Sequence, residues 1–562
     1  MSNIADINAI LAYHSQTKHH LHRFASSSGY LDWATQPNPF RTFAGAEKIA
    51  LPLLSERLQS TYCDLYIPGA VAPAPVDLNS IGILFELSLG LSAWKQYGQT
   101  RWALRCNPSS GNLHPTEGYA ILPPIPGLIT AGVYHYASHD HQLEQRAVIH
   151  DTLPVGSCIF IGLTSIHWRE AWKYGERAFR YCQHDMGHAI AAVRYAAAGL
   201  GWSATMIDDV SDAAVSDMLG LSDAASFREI AKPDREHPGA FLRIGPHSSR
   251  EVDIARLQDA LKSGVWTGRA NSLSPGHVEW PAIDEAAEAS RKVAMWKMDP
   301  SSISSGIFEN PPSHLALKPS QIRAAEIIKQ RRSAVALDDV TSIPAESFYG
   351  ILDRLLPRPS IPPWDAWPSS PGVHCGIFVH RVDGLSPGLY LFERNETAHE
   401  NLRKQLDPSF AFERPAGCPE NLRLFRMVDG DFRRKAQIVS CQQKIAGAGA
   451  FSLGMLAEFD ESIHMHGAWW YRRLFWECGI LGHVFYLEAE AAGVRGTGIG
   501  CYFDDVFHEM LGFKENEFQS LYHFTIGGPV EDTRLMTVPG YAHLDRSFMN
   551  GDIVRSKPIT AT

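Results

Sequence analysis

The sequence contains few cysteines, and nothing in their arrangement indicates a disulfide framework. Its nine cysteines are scattered over 562 residues, and none forms a CxxC pair. The first residues, MSNIADINAILAYHSQTKHHLHRF, lack the basic-then-apolar order of a secretory signal. Scattered cysteines without such a signal indicate reduced thiols, so a cytoplasmic protein is expected.

An excess of basic charge is also missing, because 51 Lys and Arg stand against 61 Asp and Glu, for a net charge of −10. Neither a nucleic-acid partner nor an anionic membrane partner is therefore predicted, although a local basic pocket for a small anion stays compatible with this balance.

Long apolar runs are lacking as well. The most apolar early stretch, residues 81–94, is short and carries Glu86, so it predicts a buried helix and no membrane span.

The signature motifs of several enzyme classes are absent. The chain has no Walker loop and no GxSxG. GTGIG at residues 496–500 has suggestive glycines, but it follows a predicted helix, whereas a Rossmann loop follows a strand and opens a helix. His508 and Glu509 begin an HExxH-like run in which Gly512 replaces the second histidine, so no metal site is predicted.

What the chain does contain is a repeated helical segment, with one copy at residues 173–209 and the other at residues 468–505. A constant offset of 295 (472 − 177) pairs Arg177 with Arg472, Gly187 with Gly482 and His188 with His483, and after a slip of one, Asp208-Asp209 pairs with Asp504-Asp505. A chain of this length exceeds what one hydrophobic core usually supports. The repeat therefore predicts two related, fused domains.

The predicted organisation is a first domain at residues 1–265, a linker at 266–317 and a second domain at 318–562. In each domain we expect a helix, a strand pair (residues 132–145 and 388–402), an apolar strand (157–166 and 451–460) and then the repeated helix. This order indicates an α+β fold. The repeated helices are apolar nearly all round, so they are predicted to pack together about a pseudo-twofold axis, as in a symmetric dimer.

The first polar cluster is the segment RCNPSSGNLHP, with Arg105, Pro108, Ser109, Ser110 and Asn112. Its composition predicts a tight loop with many free backbone N–H groups and short hydrogen-bonding side chains. Such a loop suits a polar ligand, and an ordinary surface turn is the alternative interpretation.

The second cluster is Arg331, Arg332 and Ser333, at the end of a predicted helix. Guanidinium groups bind phosphate oxygens in a bidentate manner, so this triplet suits an anionic group. The alternative is a solvated basic helix end that the helix dipole favours.

The third cluster contains Gly496, Gly498 and Gly500 in GVRGTGIGCYFDD, after the second repeated helix. Glycines at this place are first a signal for the end of a helix. They also predict a turn whose backbone amides come close to a flat ligand.

Together these motifs, in this order, resemble the FMN-dependent nitroreductase family, and most closely its SagB/ThcOx-type dehydrogenase branch. The resemblance implies a flavin bound between two subunits. An Arg-Arg-Ser segment would hold its phosphate, a Pro-Ser-Ser loop of the partner would follow the ribityl chain and ring, and the glycine turn would back the isoalloxazine.

The resemblance also implies that only one of two interface sites is complete. The Arg-Arg-Ser triplet and the glycine turn lie in the second half, and the complete Pro-Ser loop lies in the first. The converse pairing has only Arg41 in a comparable place, and in PSSPGVH Gly372 replaces Asn112 while Asp365 replaces Arg105. One FMN per chain is therefore expected.

Further roles follow from the resemblance. Arg105 would reach the phosphate or the pyrimidine edge of the flavin, and Arg534 would be the late basic residue against the phosphate. Lys173 and Tyr174 resemble the Lys-Tyr pair assigned to catalysis in azoline-oxidising members. They would act as a base if burial and neighbouring groups lowered their pKa. The second copy has Ala468-Trp469 instead.

The expected function is FMN-dependent dehydrogenation of an organic substrate. The substrate would be a small molecule or a modified peptide with an azoline-type ring, and NAD(P)H or oxygen would be the redox partner. No leader-peptide-binding domain is evident in the sequence. One alternative is an NAD(P)H-dependent nitro or quinone reductase, and another is a non-catalytic flavin-binding protein. The two halves of one chain would form the pseudo-dimer, so a monomeric protein is compatible with this function.

Overall fold

The computed structural model describes residues 3–156, 158–246, 253–293 and 322–544. The helices before residue 294 are α1 (Ile4–Gln16), α2 (Leu78–Ser88), α3 (His167–Tyr174), α4 (Ala178–Gly199), α5 (Asp212–Leu219), α6 (Ile254–Lys262) and α7 (Pro281–Ala289). Those after residue 321 are α8 (Ala324–Gln330), α9 (Ala345–Asp353), α10 (His399–Gln405), α11 (Arg433–Val439), α12 (Ile445–Ala448), α13 (Asp460–His466), α14 (Trp470–Ala491) and α15 (Asp504–Leu511). None of these helices has the length and apolar character needed to cross a membrane.

The strands of the two main sheets pair antiparallel, which together with these helices makes the fold α+β. Those of the first half are β1 (Phe43–Ala44), β2 (Glu47–Ala50), β3 (Leu91–Tyr97), β4 (Thr100–Arg105), β5 (Thr116–Leu122), β6 (Ala131–Ala137), β7 (Gln142–Ile149), β8 (Ile159–Ser165), β9 (Ser203–Met206), β10 (His237–Gly245), β11 (Val265–Trp266) and β12 (Arg269–Ala270). Those of the second half are β13 (Ile343–Pro344), β14 (Val373–Val379), β15 (Val382–Asp383), β16 (Gly388–Glu393), β17 (Arg423–Asp429), β18 (Phe451–Glu458), β19 (Arg495–Ile499), β20 (Phe518–Gly527) and β21 (Met536–Pro539).

Each half is built on one antiparallel sheet, and the two sheets have the same strand order. The first sheet runs β11-β7-β6-β5-β8-β10-β9, and the second runs β17-β16-β14-β18-β20-β19. The apolar segments predicted as strands become β8 and β18, at equivalent positions in these sheets. The chain therefore contains two copies of one structural unit, as the repeat predicted.

The predicted strand pair is confirmed in the first half and wrong in the second. In the first half β6 and β7 form a hairpin. In the second half β16 ends at Glu393, residues 399–405 are the helix α10, and the neighbouring strand β17 begins only at Arg423. The reason lies at Arg394, whose buried guanidinium donates to the carbonyl of Leu355 at 2.9 Å and pairs with Glu477. The chain therefore turns away from the sheet at this residue.

The two long helices, α4 and α14, each contain 22 residues and cross at a pair of glycines. A Cβ on Gly187 would lie 2.1 Å from the carbonyl oxygen of Trp476, and a Cβ on Gly479 would lie 2.2 Å from that of His184. The contacts are reciprocal, which is the property of an interface with twofold symmetry. The expected intramolecular pseudo-dimer is therefore confirmed.

These contacts also correct the register of the repeat. The offset that relates the halves is 292, both at the crossing (479 − 187) and at the first residues of α5 and α15, Asp212 and Asp504 (504 − 212). The offset of 295 was wrong. It differs by three residues, which is close to one helical turn of 3.6 residues, so the apolar pattern did not distinguish the two registers.

Buried ion pairs across the boundary follow the corrected register. Arg180 pairs with Asp504 at 2.8 Å, and Arg472 pairs with Asp212 at 2.7 Å. Both arginines and both aspartates are related by 292 (472 − 180 and 504 − 212). The largest hydrophobic cluster likewise includes residues of both halves around the long helices. The two structural units therefore share one core.

Part of the region interpreted as a linker has regular structure. Within residues 266–293, β12 pairs with β1, and α7 packs against α1. The limits of the two domains stay a prediction, but β12 and α7 pack on the first half.

The crossing of the long helices leads to a first prediction. Gly187→Ala is expected to lower the free energy of unfolding by about 1–3 kcal/mol or more, because the new methyl group would meet the backbone of the opposite helix. Gly199→Ala, in the same helix, is the matched control. Its Cβ would lie at an ordinary 3.5 Å from Leu58, so the stability should be unchanged or slightly higher. Urea unfolding of both variants measures the difference, and equal midpoints would contradict the tight crossing.

Candidate functional site

The Arg-Arg-Ser segment lies where the two halves meet and connects the other two motifs. The guanidinium of Arg331 donates to the carbonyl of Arg105 at 3.0 Å and to that of Cys106 at 3.3 Å. On its other side, the N–H of Ala334 donates to the carbonyl of Gly496 at 3.0 Å. The structure therefore brings the triplet of the second half together with the beginning of the Pro-Ser loop of the first half.

Positive charge is concentrated at this place. Neither Arg331 nor Arg332 has a carboxylate within ion-pair distance among the described residues, and Glu490, which accepts the backbone N–H of Arg332, is paired with Arg495. Burial, followed by the charge of Arg331, lowers the pKa of Arg332 to about 10. Burial and then Arg332 also lower the pKa of Lys95. These cations, which have no carboxylate within ion-pair distance among the described residues, are a candidate site for an anion.

Tyrosine side chains connect this cationic group to the glycine motif. The hydroxyl groups of Ser333 and Tyr486 are hydrogen-bonded at 2.8 Å, and the N–H of Gly498 donates to the Tyr486 hydroxyl at 2.9 Å. A Cβ on Gly498 would lie only 1.9 Å from the hydroxyl oxygen of Tyr522. A side chain at this position is therefore excluded by Tyr522.

The glycine motif is a strand, which corrects the predicted turn. Gly496 and Gly498 lie in β19, which pairs antiparallel with the end of β20, and Gly500 follows directly. A Cβ on Gly500 would lie 2.4 Å from the ring of Tyr181, whose hydroxyl donates to the Gly500 carbonyl at 3.2 Å. The glycines therefore allow another group to lie close to their backbone, and in this structure that group is the side chain of a tyrosine.

The Pro-Ser loop is held by two buried acids. Residues 110–112 form a short 3-10 turn after the buried Pro108, and Asn112 is exposed with φ 58°. The N–H and the hydroxyl group of Ser110 donate to Asp185 at 3.1 and 3.3 Å. The hydroxyl of Ser109 donates to Glu170 at 3.5 Å. The α3 and α4 helices, which carry these acids, thus fix the loop.

Lys173 and Tyr174, at the end of α3, face the same loop. A Cβ on Gly111 would lie 2.7 Å from the Tyr174 hydroxyl and 3.0 Å from Nζ of Lys173. The rings of Tyr174 and Tyr181 have centroids 4.7 Å apart. The Lys-Tyr pair therefore lies against the Pro-Ser loop and, through the ring of Tyr181, adjoins the end of the glycine strand at Gly500.

The electrostatics of this end of the site differ from the expectation of a lowered pKa. Burial raises the pKa of Asp185 to about 7, and burial together with Asp185 raises that of Glu170. Burial and then Glu170 raise the pKa of Tyr174 well above its ordinary value. Desolvation disfavours a phenolate, so Tyr174 is a neutral phenol at pH 7 and suits proton donation better than proton removal.

The guanidinium of Arg105 does not join the group. It is 1% exposed, donates to the carbonyls of Thr116 at 3.1 Å and Pro39 at 2.6 Å, and lies 4.0 Å from Glu117. Only the backbone carbonyl of Arg105 reaches Arg331. The buried carboxylate of Glu117 explains this orientation, because it neutralises the charge within the first half.

Arg534 is not brought to the cationic group either. Its side chain is 71% exposed and pairs with Asp532 at 2.7 Å, on the outer side of the Tyr97 ring. Lys95, two residues before Tyr97 on β3, is the additional cation next to Arg332. The sequence contains no signal for Lys95, since it lies in the first half and outside every motif.

Arg41, the only counterpart that the sequence offered, pairs inside the first half with Glu236 at 3.2 Å, and its guanidinium also donates to the carbonyls of Asp234 and Asn271. At the opposite boundary itself the cations have carboxylate partners. Asp208, which has the place of Gly500 in the corrected register (500 − 208 = 292), pairs with Arg473 at 3.1 Å. Arg473 also donates to the hydroxyl of Ser369 at 2.6 Å. The cations at this boundary are therefore neutralised internally.

One cluster of three potential metal ligands occurs in the described part of the chain, formed by His139, Asp140 and His543. It is partly exposed, and its histidines lie beside Trp94 of β3. Nδ1 of His139 is 2.6 Å from Asp140, and His543 lies 2.8 Å from the His139 carbonyl. The ligand atoms of this cluster therefore already have partners within it.

Comparison with known proteins identifies the fold. No protein-family model matches the chain, and no curated protein matches it. A structure from Anabaena variabilis, provisionally named a nitroreductase, covers 93% of this chain and 99% of its own at 21% identity, with a TM-score of 0.64. This chain has a nitroreductase fold. Because that superposition extends over nearly both complete chains, it includes both of the fused nitroreductase-like units.

Two further solved structures match only part of the chain. A nitroreductase with bound FMN from Bacteroides fragilis covers 42% of this chain and 94% of its own at 17% identity, with a TM-score of 0.19. The E. coli microcin synthetase complex McbBCD, with truncated pro-MccB17 bound, covers 36% and 70% at 13% identity, with a TM-score of 0.27.

Within this nitroreductase fold, several residues of the candidate site were missed by the sequence interpretation. They are Lys95, Glu170, Tyr181, Asp185, Tyr486 and Tyr522. For Asp185 a signal existed, because it is the one acid of a helix predicted to be buried nearly all round, and a buried acid needs a partner. The tyrosines gave no signal, since aromatic residues in a long helix or a central strand are typical of any core.

The raised pKa of Asp185 leads to a second prediction. Between the unfolded-state pKa of about 3.9 and the folded-state pKa of about 7, the folded protein holds a proton that the unfolded chain releases. The free energy of unfolding of the wild type should therefore fall, relative to that of Asp185→Asn, as the pH rises through this range. Urea unfolding of both proteins between about pH 5 and about pH 8 measures this difference. A difference that does not vary with pH would contradict the assignment.

Proposed function

We propose that this chain is an FMN-dependent oxidoreductase with one FMN at the boundary of its halves. The observation that carries the proposal is the pair Arg331 and Arg332, which lacks a carboxylate partner among the described residues and lies beside Lys95 and Ser333. Three cations and a hydroxyl group are the donor set that a phosphate dianion requires.

The residues fit the phosphate end of FMN, and the remainder of the site offers flat, polar surroundings for the rest. Tyr486 and Tyr522 lie against the glycine strand. Burial raises the pKa of Tyr522, and Asp185, which holds the Pro-Ser loop, is close enough to Tyr522 to add to this rise. When bound, FMN would supply two-electron chemistry. The protein would neutralise the phosphate, fix the loop through Asp185, and exclude water by burial of the tyrosines.

The chemistry of the chain's own residues centres on Lys173 and Tyr174. Both lie within 3.0 Å of the Cβ position above Gly111, and Tyr174 holds its proton at the hydroxyl oxygen. By resemblance to the SagB/ThcOx branch, we propose dehydrogenation of an organic substrate, such as an azoline-type ring of a modified peptide, with oxygen as acceptor. In that reaction Lys173 is the residue that would accept the substrate proton.

A second candidate reaction is favoured by the protonated Tyr174. A neutral, buried phenol suits donation of a proton to a substrate that is being reduced. This supports an NAD(P)H-dependent nitro or quinone reductase on the same site. In either reaction the substrate is a small molecule or a modified peptide, and neither nucleic acid nor a membrane is a proposed partner.

The proposal of a single site is supported by the contrast between the two boundaries. At one, Arg331 and Arg332 have no carboxylate within ion-pair distance among the described residues. At the other, Arg472 and Arg473 are paired with carboxylates. An anion gains more from the first pair than from the second, because binding there does not require an internal ion pair to break.

The test is the flavin content of the purified full-length chain, followed by anaerobic reduction. We expect one FMN per chain. Bleaching by an azoline-containing peptide but not by NADPH would support the dehydrogenase, and the reverse would support the reductase. Bound FMN that no donor reduces would indicate a flavin-binding protein without turnover. Two FMN per chain would overturn the single site, and a chain that cannot be loaded with FMN would overturn the whole proposal.

A further inference from the structure

Two cysteines that are 60 positions apart in the sequence meet beside the candidate site. Sγ of Cys501 lies 2.7 Å from Sγ of Cys441. Both residues are half-buried, so small reagents can reach them. Because they are far apart in sequence, no CxxC spacing marks them.

The fold holds the two segments together by backbone contacts. Cys441 follows α11 with a φ of 51°, in a turn that aims its side chain at the second segment. The side-chain amide of Gln443 donates to the carbonyl of Cys501 at 3.0 Å, and the N–H of Phe503 donates to the carbonyl of Val439 at 2.7 Å. The contact of the two sulfur atoms is therefore set by the architecture on both sides.

The surroundings distinguish the roles of the two thiols. The hydrogen bond with Cys441, supported by His19 and the charge of Arg177, lowers the pKa of Cys501 to about 5, against the effect of burial. The pKa of Cys441 is raised, first by the same hydrogen bond. His19 lies beside Cys501, and a neighbouring imidazole favours a thiolate there, so Cys501 is the nucleophile of the pair and Cys441 is the thiol that can resolve a mixed disulfide.

Other cysteines lack these properties. Cys106, Cys182, Cys375 and Cys478 are buried in the core, and burial raises the pKa of each. Cys418 is half-buried like the pair, but burial raises its pKa to about 11. Cys418 is therefore a matched control for accessibility without activation.

We propose that Cys441 and Cys501 form a redox-active dithiol that reduces small-molecule disulfides. The Cys501 thiolate attacks the external disulfide, whose S–S bond breaks and releases one small thiol. The Cys441 thiol then loses its proton and attacks the mixed disulfide, so that the Cys441–Cys501 bond forms and the second small thiol leaves. The protein dithiol is oxidised by two electrons, and the external disulfide is reduced to two thiols.

The dithiol adjoins the proposed flavin site but does not depend on it. Gly500, the residue before Cys501, contacts Tyr181, whose ring packs on Tyr174. None of the hydrogen bonds that position the sulfur atoms involves Arg331 or Arg332. The activity can therefore be tested in a flavin-free preparation, and a failure of the flavin proposal would leave it unaffected.

The experiment treats the reduced full-length chain with glutathione disulfide, quenches with an alkylating agent and maps the peptides by mass spectrometry. The wild type is expected to lose two free thiols and to yield a peptide linking Cys441 with Cys501, with release of two glutathione per chain. Cys441→Ser should stop at one glutathione on Cys501, and Cys501→Ser should take up none at Cys441. Cys418→Ser should behave like the wild type.

Two results would overturn the activation of Cys501, and a third would overturn the role of Cys441. One is retention of all free thiols by the wild type when a simple dithiol added to the same solution is oxidised. The other is modification of Cys418 at the rate of Cys501, which would show exposure without activation. A stable glutathione adduct on the wild-type Cys501 would also refute the resolving role of Cys441. Circular dichroism of the serine variants verifies that each is folded.

Discussion

Purified Arg332→Ala/Ser333→Ala protein is expected to contain no flavin, whereas the wild type retains one FMN. Arg332 has no carboxylate partner among the described residues, so its charge is available to the phosphate, and Ser333 adds a hydroxyl group at the exposed side. A hydrogen bond to a charged group contributes about 1.5–3 kcal/mol, so loss of two such contacts should weaken binding at least about 100-fold. Titration of the flavin-free protein with FMN, followed by flavin fluorescence, measures the change.

The control for this variant is Arg534→Ala. Arg534 is exposed and paired with Asp532, so its removal should leave FMN affinity unchanged. Lys95→Ala is expected to weaken binding by about tenfold, because it removes one cation of the group but leaves both guanidiniums in place. Equal loss of affinity in the Arg534 and Arg332 variants would mean that the phosphate lies elsewhere.

The architecture was predictable because it is repeated. Two long apolar helices and two equivalent strands, β8 and β18, are enough to indicate two related units and a packed helix pair. What the sequence did not determine is the register between the copies. Identical residues such as His188 and His483 suggested 295, while backbone contacts at Gly187 and Gly479 require 292. Residue identity is weak evidence when a shift of almost one turn preserves the apolar face.

The candidate site was predictable in its position but not in its details. The motifs do meet, because each is a short continuous segment at the end of a regular element. The orientation of the Arg105 side chain depends on Glu117, and the side chain that lies against Gly498 is that of Tyr522. Both partners lie on other strands. Contacts of this kind are tertiary, so no spacing rule in the sequence contains them. The same is true of the pair Cys441 and Cys501.

The two boundaries between the halves also differ in the number of arginines that pair with the buried aspartate at each. Asp504 accepts from Arg177 at 3.1 Å, Arg180 at 2.8 Å and the N–H of His19 at 3.0 Å. Its counterpart Asp212 has one arginine in contact, since Trp469 stands where the register places the partner of Arg177 (469 − 177 = 292). The boundary next to the proposed flavin site is therefore the one with two cations on one acid.

Asp504→Asn is accordingly expected to destabilise the protein strongly. It would leave Arg177 and Arg180 buried without a counter-ion, a loss of about 3–5 kcal/mol. Burial acts to raise the pKa of Asp504, but the two arginines outweigh it and hold that pKa well below its ordinary value. The stabilisation is thus present above the unfolded-state pKa of about 3.9 and is lost as the pH falls below it.

The pseudo-symmetry supplies the control for this prediction. Asp212→Asn removes the equivalent carboxylate but leaves only Arg472 without its partner, so its loss of stability should be smaller. Asp259→Asn removes an exposed acid that pairs with Lys262 and should leave stability unchanged. Urea unfolding at about pH 7 should therefore order the variants as Asp504, Asp212 and Asp259, from most to least destabilised. Equal losses at Asp504 and Asp212 would show that the second arginine adds nothing, and the boundary at the proposed flavin site would then be held no more tightly than its mirror image.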